Sequence, residues 1–312
     1  MQRYSNPIYE RGVVLVSVLS VVAFLVIMTT GLAVMLDREV RITGFTQAQR
    51  QADWLAEGVE AWAIQTLYKD GLETEDDNLT EVWAKPLPVT QIEHGELTAQ
   101  IFDQQTKINI NALVLNGIPN ELQIARFKRL LTHLELEPSF LDPIIDWIDT
   151  DEKARFPYGA EDGHYLNQSQ PYRAANRPIS SISELKWIRG MTPEVYAKLS
   201  PYVVALPQDK YEININTADA VVYALLADGI TRQEGEQLVS LRDKNGPYEI
   251  EEFILHPIFA GRNLDTKGLS TKSYHFMLRA EVKYQDITVL RKTHFSRDKT
   301  NNKVHIVRRS SS

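Results

Sequence analysis

The sequence predicts an α+β protein: a long N-terminal helix packed on an antiparallel sheet, with a large helical segment inserted into the sheet. Three observations carry this. An uncharged run from Val13 to Leu36 passes directly into an apolar stripe of helical period. Alternating, strand-like segments lie near residue 100 and again in the last forty residues. Between them, roughly 117–260, helical patterns and their caps dominate.

The elements follow in order. Roughly 24 residues without a charge would rise about 36 Å as a helix, enough to cross a bilayer core. Arg11 precedes the run, and Asp37, Arg38 and Glu39 follow it. A cleaved secretory signal has a shorter apolar stretch and a small-residue exit, which this run does not match. Arg3 and Arg11 favour a cytoplasmic N-terminus, placing the remainder in the periplasm. Beyond the membrane, Ala48, Ala52, Leu55, Val59, Ala63 and Leu67 recur at steps of three or four. One helix of about 55 residues ending near Asp70-Gly71 is the simplest reading, with Gly31, Gly44 and Gly58 as places to bend. A separate anchor followed by a second helix is the alternative. Ala48, Ala52, Leu55, Val59 and Trp62 are the residues expected to meet neighbouring helices.

An acidic loop (Glu73 to Asp77) leads to Leu97–Phe102 and Lys107–Asn111, read as a hairpin lying on the helix. Helices are expected at Glu121–Leu134, at Pro143–Ile148 with Asp142 as N-cap, and at about 181–189, 193–199, 217–227 and 232–242. Strands return at Tyr274–Tyr284, Ile287–Phe295 and Val304–Arg308.

Composition narrows the function. The chain has 312 residues, no cysteine and a net charge of −7. That removes disulfides, thiolate metal sites and cysteine nucleophiles, and it disfavours a protein whose main task is gripping nucleic acid. Seven histidines show no H-E-x-x-H spacing, and neither a G-x-S-x-G elbow nor a phosphate-binding glycine loop occurs. An enzyme is therefore not expected. An acidic cluster does stand out: Asp146, Asp149 and Asp151, then Glu161 and Asp162. Such carboxylates repel unless a hard cation neutralises them, and calcium takes 6–8 oxygen ligands of this kind. Solvated helix-end carboxylates paired with Arg155 or Arg173 are the alternative. The pattern departs from an EF-hand, since Lys153 follows Asp149 and Asp151 at the next alternate position.

Glu10-Arg11-Gly12 followed by Val13-Val14-Leu15-Val16-Ser17 resembles the processing site of type IV prepilins and type II secretion pseudopilins. The resemblance implies a leader, Met1–Gly12, removed by a prepilin peptidase after Gly12, and N-methylation of Val13. The family's major subunits carry glutamate where this chain has Ser17. That glutamate pairs with a neighbour's amine in the membrane, and a carboxylate left unpaired in lipid is costly. A subunit with nothing above it has no such partner. The stretches 144–165, 171–207 and 213–226 are similar to the GspK family of minor pseudopilins. The similarity implies a pilin-like fold with an inserted all-α domain containing helix-hairpin-helix-like (SAM-like) segments. It also implies that the insert binds calcium through the acidic cluster. The expected place is the tip of a periplasmic pseudopilus, with GspI- and GspJ-type minor subunits, a GspH-type subunit, the major pseudopilin and the inner-membrane assembly platform as neighbours.

The implied divisions are a leader (1–12), a membrane half-helix (13–36), the periplasmic half-helix with first strands (37–112), the insert (113–211), a helix-hairpin-helix-like segment (212–260) and final strands (261–312). The segment around Asp228-Gly229-Ile230-Thr231 also resembles modules of competence DNA receptors, which makes a membrane-anchored DNA receptor the rival reading. Its second hairpin glycine is absent, and Glu212–Phe253 carries nine acids against three bases. A phosphate backbone would be repelled. A membrane-tethered hydrolase using the acidic cluster is a further rival, against which no histidine or nucleophile lies near that cluster in sequence.

Overall fold

The computed structural model describes residues 7–311, with side chains from Val13 onward. Residues 1–6 of the expected leader therefore fall outside the described residues, and of 7–12 only the backbone is described.

A single helix, α1 (Pro7–Glu73), runs for 67 residues, about 100 Å at 1.5 Å per residue. The expected anchor and the amphipathic helix that follows it are one element. The apolar run is uniformly exposed through Gln47, and burial begins at Ala48. Within the run, the hydroxyls of Ser17, Thr29 and Thr30 donate to carbonyls one turn back. These three hydroxyls are thus satisfied without a neighbour, as a lipid environment would require.

The second half of α1 lies on a five-stranded antiparallel sheet. Its strands are β1 (Leu87–Ile92), β2 (Gly95–Asp103), β3 (His275–Tyr284), β4 (Ile287–Arg297) and β5 (Val304–Ser311), adjacent in that order. Ala48, Ala52, Ala56, Val59, Ala63 and Leu67 face Ala99, Ile101, Leu278, Ala280 and Phe295 in one apolar core. Four of those six helix residues are alanines, which lets the helix axis come close to the sheet. Glu60, almost fully buried, is the polar member of that interface. Arg309 of β5 donates to it at 2.9 Å, and the Thr293 hydroxyl of β4 also bonds to it.

Residues 104–274 leave the sheet at the end of β2 and return at the start of β3, so an insert is grafted between two neighbouring strands. The insert carries α2 (Glu121–His133), α3 (Leu141–Ile148), α4 (Asp162–Tyr165), α5 (Pro193–Leu199), α6 (Ala220–Ala224), α7 (Arg232–Asn245) and α8 (Ile250–Ile254). It has its own core, running from Ile108 to Phe259 across the expected division at 211 and 212. Three two-residue bridges accompany the helices: Ile108–Asn109 with Val203–Val204, Val114–Leu115 with Ile118–Pro119, and Ile213–Asn214 with Leu269–Ser270. The insert is thus mainly rather than entirely helical.

Some local expectations are corrected. Lys107–Asn111 is no hairpin partner of β2. It turns into the insert; the hairpin partner of β2 is β1, across the Glu93-His94 turn, and its other neighbour is β3. Asp142 is not the cap of α3, which begins two residues earlier than expected, at Leu141, with Phe140 in the cap position. Asp142 lies in the first turn, where it pairs with Arg155 at 3.5 Å. The helix expected over 217–227 shrinks to α6, because the Asp219 carboxylate caps the Val222 N–H and starts the helix late.

A buried polar knot ties the two units together at the C-terminal end of α1. Arg297 of β4 donates to Asp70 at 3.0 Å, to Asp77 at 2.6 Å and to the Ser273 carbonyl at 2.6 Å. Asp103, closing β2, accepts from Ser273 at 2.5 Å and from Thr217 at 2.6 Å. The apolar run occupies the N-terminal part of α1, so the insert is attached at the end of the helix opposite to that run.

Candidate metal site and subunit-facing groove

The candidate metal site is built where α3 stops. Asp149 is the C-cap of α3, its backbone already extended, so its carboxylate stands beside the negative end of the helix, where a cation is favoured. The chain turns through Asp151, whose Oδ1 accepts the Lys153 N–H at 2.8 Å. It returns at Glu161, the N-cap position of α4. Carboxylate oxygens of Asp149, Asp151 and Glu161 come within 4.8 Å of one another.

The other two expected ligands have different tasks. Asp146, fully buried on α3, accepts the N–H groups of Ala160 at 2.7 Å and Arg155 at 3.1 Å, holding both ends of the connecting loop. Asp162 accepts the Ala174 N–H at 2.9 Å and pairs with Arg173 at 3.4 Å. Asp146 and Asp162 position the loops that carry the three clustered carboxylates.

The cluster is under-satisfied as it stands. Asp149 Oδ1 and both oxygens of Glu161 are buried without a hydrogen-bond partner. Burial, then repulsion from Asp151 and Asp146, pushes Asp149 up to about 6. Burial, then repulsion from Asp146, Asp149 and Asp151, pushes Glu161 up to about 8. Orphaned, mutually repelling carboxylate oxygens fit a hard, oxygen-loving cation of the calcium type. Sequence reasoning missed Gly159: a Cβ there would lie 2.2 Å from Asp146 Oδ2 and 2.3 Å from the Arg155 nitrogen. The spacing of a lone glycine after Pro157 and Tyr158 was the available signal.

A second acidic group, Asp70, Asp77 and Glu81, also brings its oxygens within 4.8 Å. There the Arg297 guanidinium already supplies the positive charge for Asp70 and Asp77.

Of the five α1 residues expected to meet neighbouring subunits, Ala48, Ala52 and Val59 are buried in the chain's own sheet interface. The stripe is claimed by the intramolecular core, and of those three only Val59 also borders the groove described next. Leu55 and Trp62 stay half-buried. With Gln51, Trp54 and Gly58 of α1 and Leu87, Thr90 and Leu97 of the sheet, they line a groove of about 440 Å³. Trp54 is 67% exposed, a large apolar surface presented to solvent. Trp54, Gly58 and Trp62, at steps of four, were the legible signal for this second face.

The polar side chains of the hairpin between α6 and α7 pair within the chain. Thr231 and Glu234 form a reciprocal capping box, Asp228 pairs with Arg129 of α2 at 2.7 Å, and Glu234 pairs with Arg262 at 2.7 Å.

Comparison with known proteins bears on the whole chain. Residues 106–208 and 213–272 match two family models, each described as "Type II secretion system (T2SS), protein K". The type II secretion system protein K of Aeromonas hydrophila is 32% identical, over 96% of this chain and 96% of its own length. That of Pseudomonas aeruginosa is 31% identical, over 89% and 86%. The crystal structure of the GspK-GspI-GspJ complex from enterotoxigenic Escherichia coli contains a chain that superposes with a TM-score of 0.76 at 26% identity. The match covers 86% of this chain and 99% of that one. With the long N-terminal helix, the antiparallel sheet and likeness along nearly the full length, the chain belongs to the type II secretion system protein K family.

Proposed function

We propose that this minor pseudopilin sits at the tip of the pseudopilus, where it starts or caps assembly with I- and J-type partners for protein export. The single observation that carries the reading is the attachment of a unit of about 170 residues at the membrane-distal end of α1, through the Arg297 knot. In a stack of helical subunits, that end is where the next subunit would sit. The insert fills the space, and the chain is accommodated at the end of the stack. Ser17 adds to this. Its hydroxyl bonds to the Val13 carbonyl of its own helix at 2.9 Å, leaving no membrane carboxylate in need of a partner above.

Under the same reading, the leader is removed after Gly12 and Val13 is N-methylated. The mature chain resides in the inner membrane with its C-terminal part in the periplasm. Trp54, Leu55 and Trp62 receive the helix of a neighbouring minor subunit. Calcium, held by Asp149, Asp151 and Glu161, fixes the outer part of the insert. The protein works by assembly rather than catalysis. The acids at the α6–α7 turn and their internal pairing support this over the DNA-receptor reading.

The test is positional. An epitope placed at Phe156, 95% exposed on the insert, is detected by gold labelling on pseudopili assembled from the major subunit with all minor subunits present. Labels at one end of each fibre are expected, with I- and J-type subunits co-purifying. Labels along the shaft would sink the tip assignment.

A further inference from the structure

Helix α2 carries two buried polar side chains one turn apart, Gln123 and Arg126, which are 1% and 0% exposed. Arg126 Nη2 donates to the Lys267 carbonyl at 2.9 Å. Its Nε and Nη1 have no partner, and neither the oxygen nor the nitrogen of the Gln123 carboxamide has one. Four of the twelve orphaned buried side-chain atoms among the described residues thus belong to these two. The cost is large: a guanidinium out of water needs both a counter-charge and acceptors for its N–H groups. Burial lowers the Arg126 pKa only to about 10, so the group remains charged at neutral pH. Asp265 is the nearby acid. It forms no ion pair with Arg126, and its Oδ1 caps the Lys267 N–H in a turn.

We infer that Gln123 and Arg126 hold a small monovalent anion, chloride or a similar halide, inside the insert. The orphaned N–H donors of Arg126 and the amide of Gln123 lie on one face of α2 at i, i+3, and an anion there satisfies charge and donors together. The ligand is monatomic because the place is sealed. Gly268, with φ +70°, lets the 266–269 turn press onto the site: a Cβ there would stand 3.3 Å from Arg126 Nη1 and 2.9 Å from the Tyr211 ring. The anion joins α2 to the turn that precedes the return into β3.

The experiment uses the full chain in detergent, with calcium held constant and chloride exchanged for gluconate at fixed ionic strength. A rise of the thermal midpoint with chloride is expected, logarithmic in chloride above its half-saturating concentration and about 3 °C at roughly twentyfold that concentration for a protein of this size. Bromide should substitute, giving an anomalous peak beside Arg126 in crystals. Gln123→Leu should raise the half-saturating chloride concentration about tenfold, the loss of roughly one charged hydrogen bond. Arg126→Met should abolish the dependence, and if it does not fold, the Gln123 variant and the bromide peak decide. A midpoint indifferent to halide overturns the inference. So does a dependence unchanged in both variants, or a site holding only water.

Discussion

Arg297 shows how much can rest on one side chain. It is 1% exposed, with the Asp77 carboxylate as its counter-charge and Asp70 as a further acceptor. It also donates to the Leu67 and Ser273 carbonyls, so helix, sheet and insert meet on one guanidinium. Arg297→Met keeps most of the volume and removes the charge, leaving two buried carboxylates facing each other. We expect a loss of about 3–5 kcal/mol in chemical unfolding, well beyond the effect of removing an exposed pair such as Arg41–Asp37. The same knot sets a pH dependence. Burial first, then repulsion from Glu81 and Asp77, pushes Asp70 up to about 8, from an ordinary value of 3.8. The folded chain then binds this proton more tightly than the unfolded chain between about pH 4 and 8, so Asp70's contribution to stability is full at low pH and is lost as pH rises through that window. Asp70→Asn, which cannot ionise, should flatten this part of the slope. Urea midpoints of wild type and variant, compared at pH 5.5 and 8.5, should differ more at the higher pH. A constant difference would remove Asp70 as its source.

At the scale of elements, close approach decides what the helices can do. The nitrogen end of α7 presses on α6 so tightly that a Cβ on Gly235 would lie 2.1 Å from the Ala220 carbonyl oxygen. Gly235→Ala is favourable by helix propensity alone, yet it should destabilise by about 1–3 kcal/mol because the two helices must separate. A thermal midpoint at or above wild type would show that the pair is looser than this contact implies. Gly235 also marks where sequence reading stops. The long helix was legible because its signal is local: an uncharged run and an apolar stripe with one period. The three C-terminal strands were legible for the same reason, through alternation at step two. Lys107–Asn111 alternates equally well, but its neighbours are set by contacts nearly a hundred residues away, Asn109 to Pro207 and Asn111 to Leu206. The site was half legible in the same sense. Acidic spacing picked out all five carboxylates. The loop path that brings Asp149, Asp151 and Glu161 together, and sets Asp146 and Asp162 to hold backbone, is a tertiary fact. The α1 stripe likewise revealed that a face is apolar, without saying whether its own sheet or a neighbour covers it.

For the molecule as a whole, the insert must keep its shape while standing clear of the frame that anchors it. Its outer segment, 149–161, has little regular structure and is closed by Asp146 and by three carboxylates that repel one another. Metal binding to the folded form alone adds stability by mass action. A chelator should therefore lower the thermal midpoint of a fragment beginning at Asp37, and calcium should restore it. The decisive variants are Asp149→Asn and Glu161→Gln, which keep shape and remove charge. If the cluster exists to bind a cation, each should abolish the calcium response and also raise the midpoint of the chelated protein, because burial first and mutual repulsion second, which together hold Glu161 near 8, then weigh on one carboxylate fewer. If these carboxylates served only as structural acceptors, each substitution should lower the chelated midpoint and leave any calcium response intact. The sign of the change without metal separates the two roles, whatever the size of the effect with it.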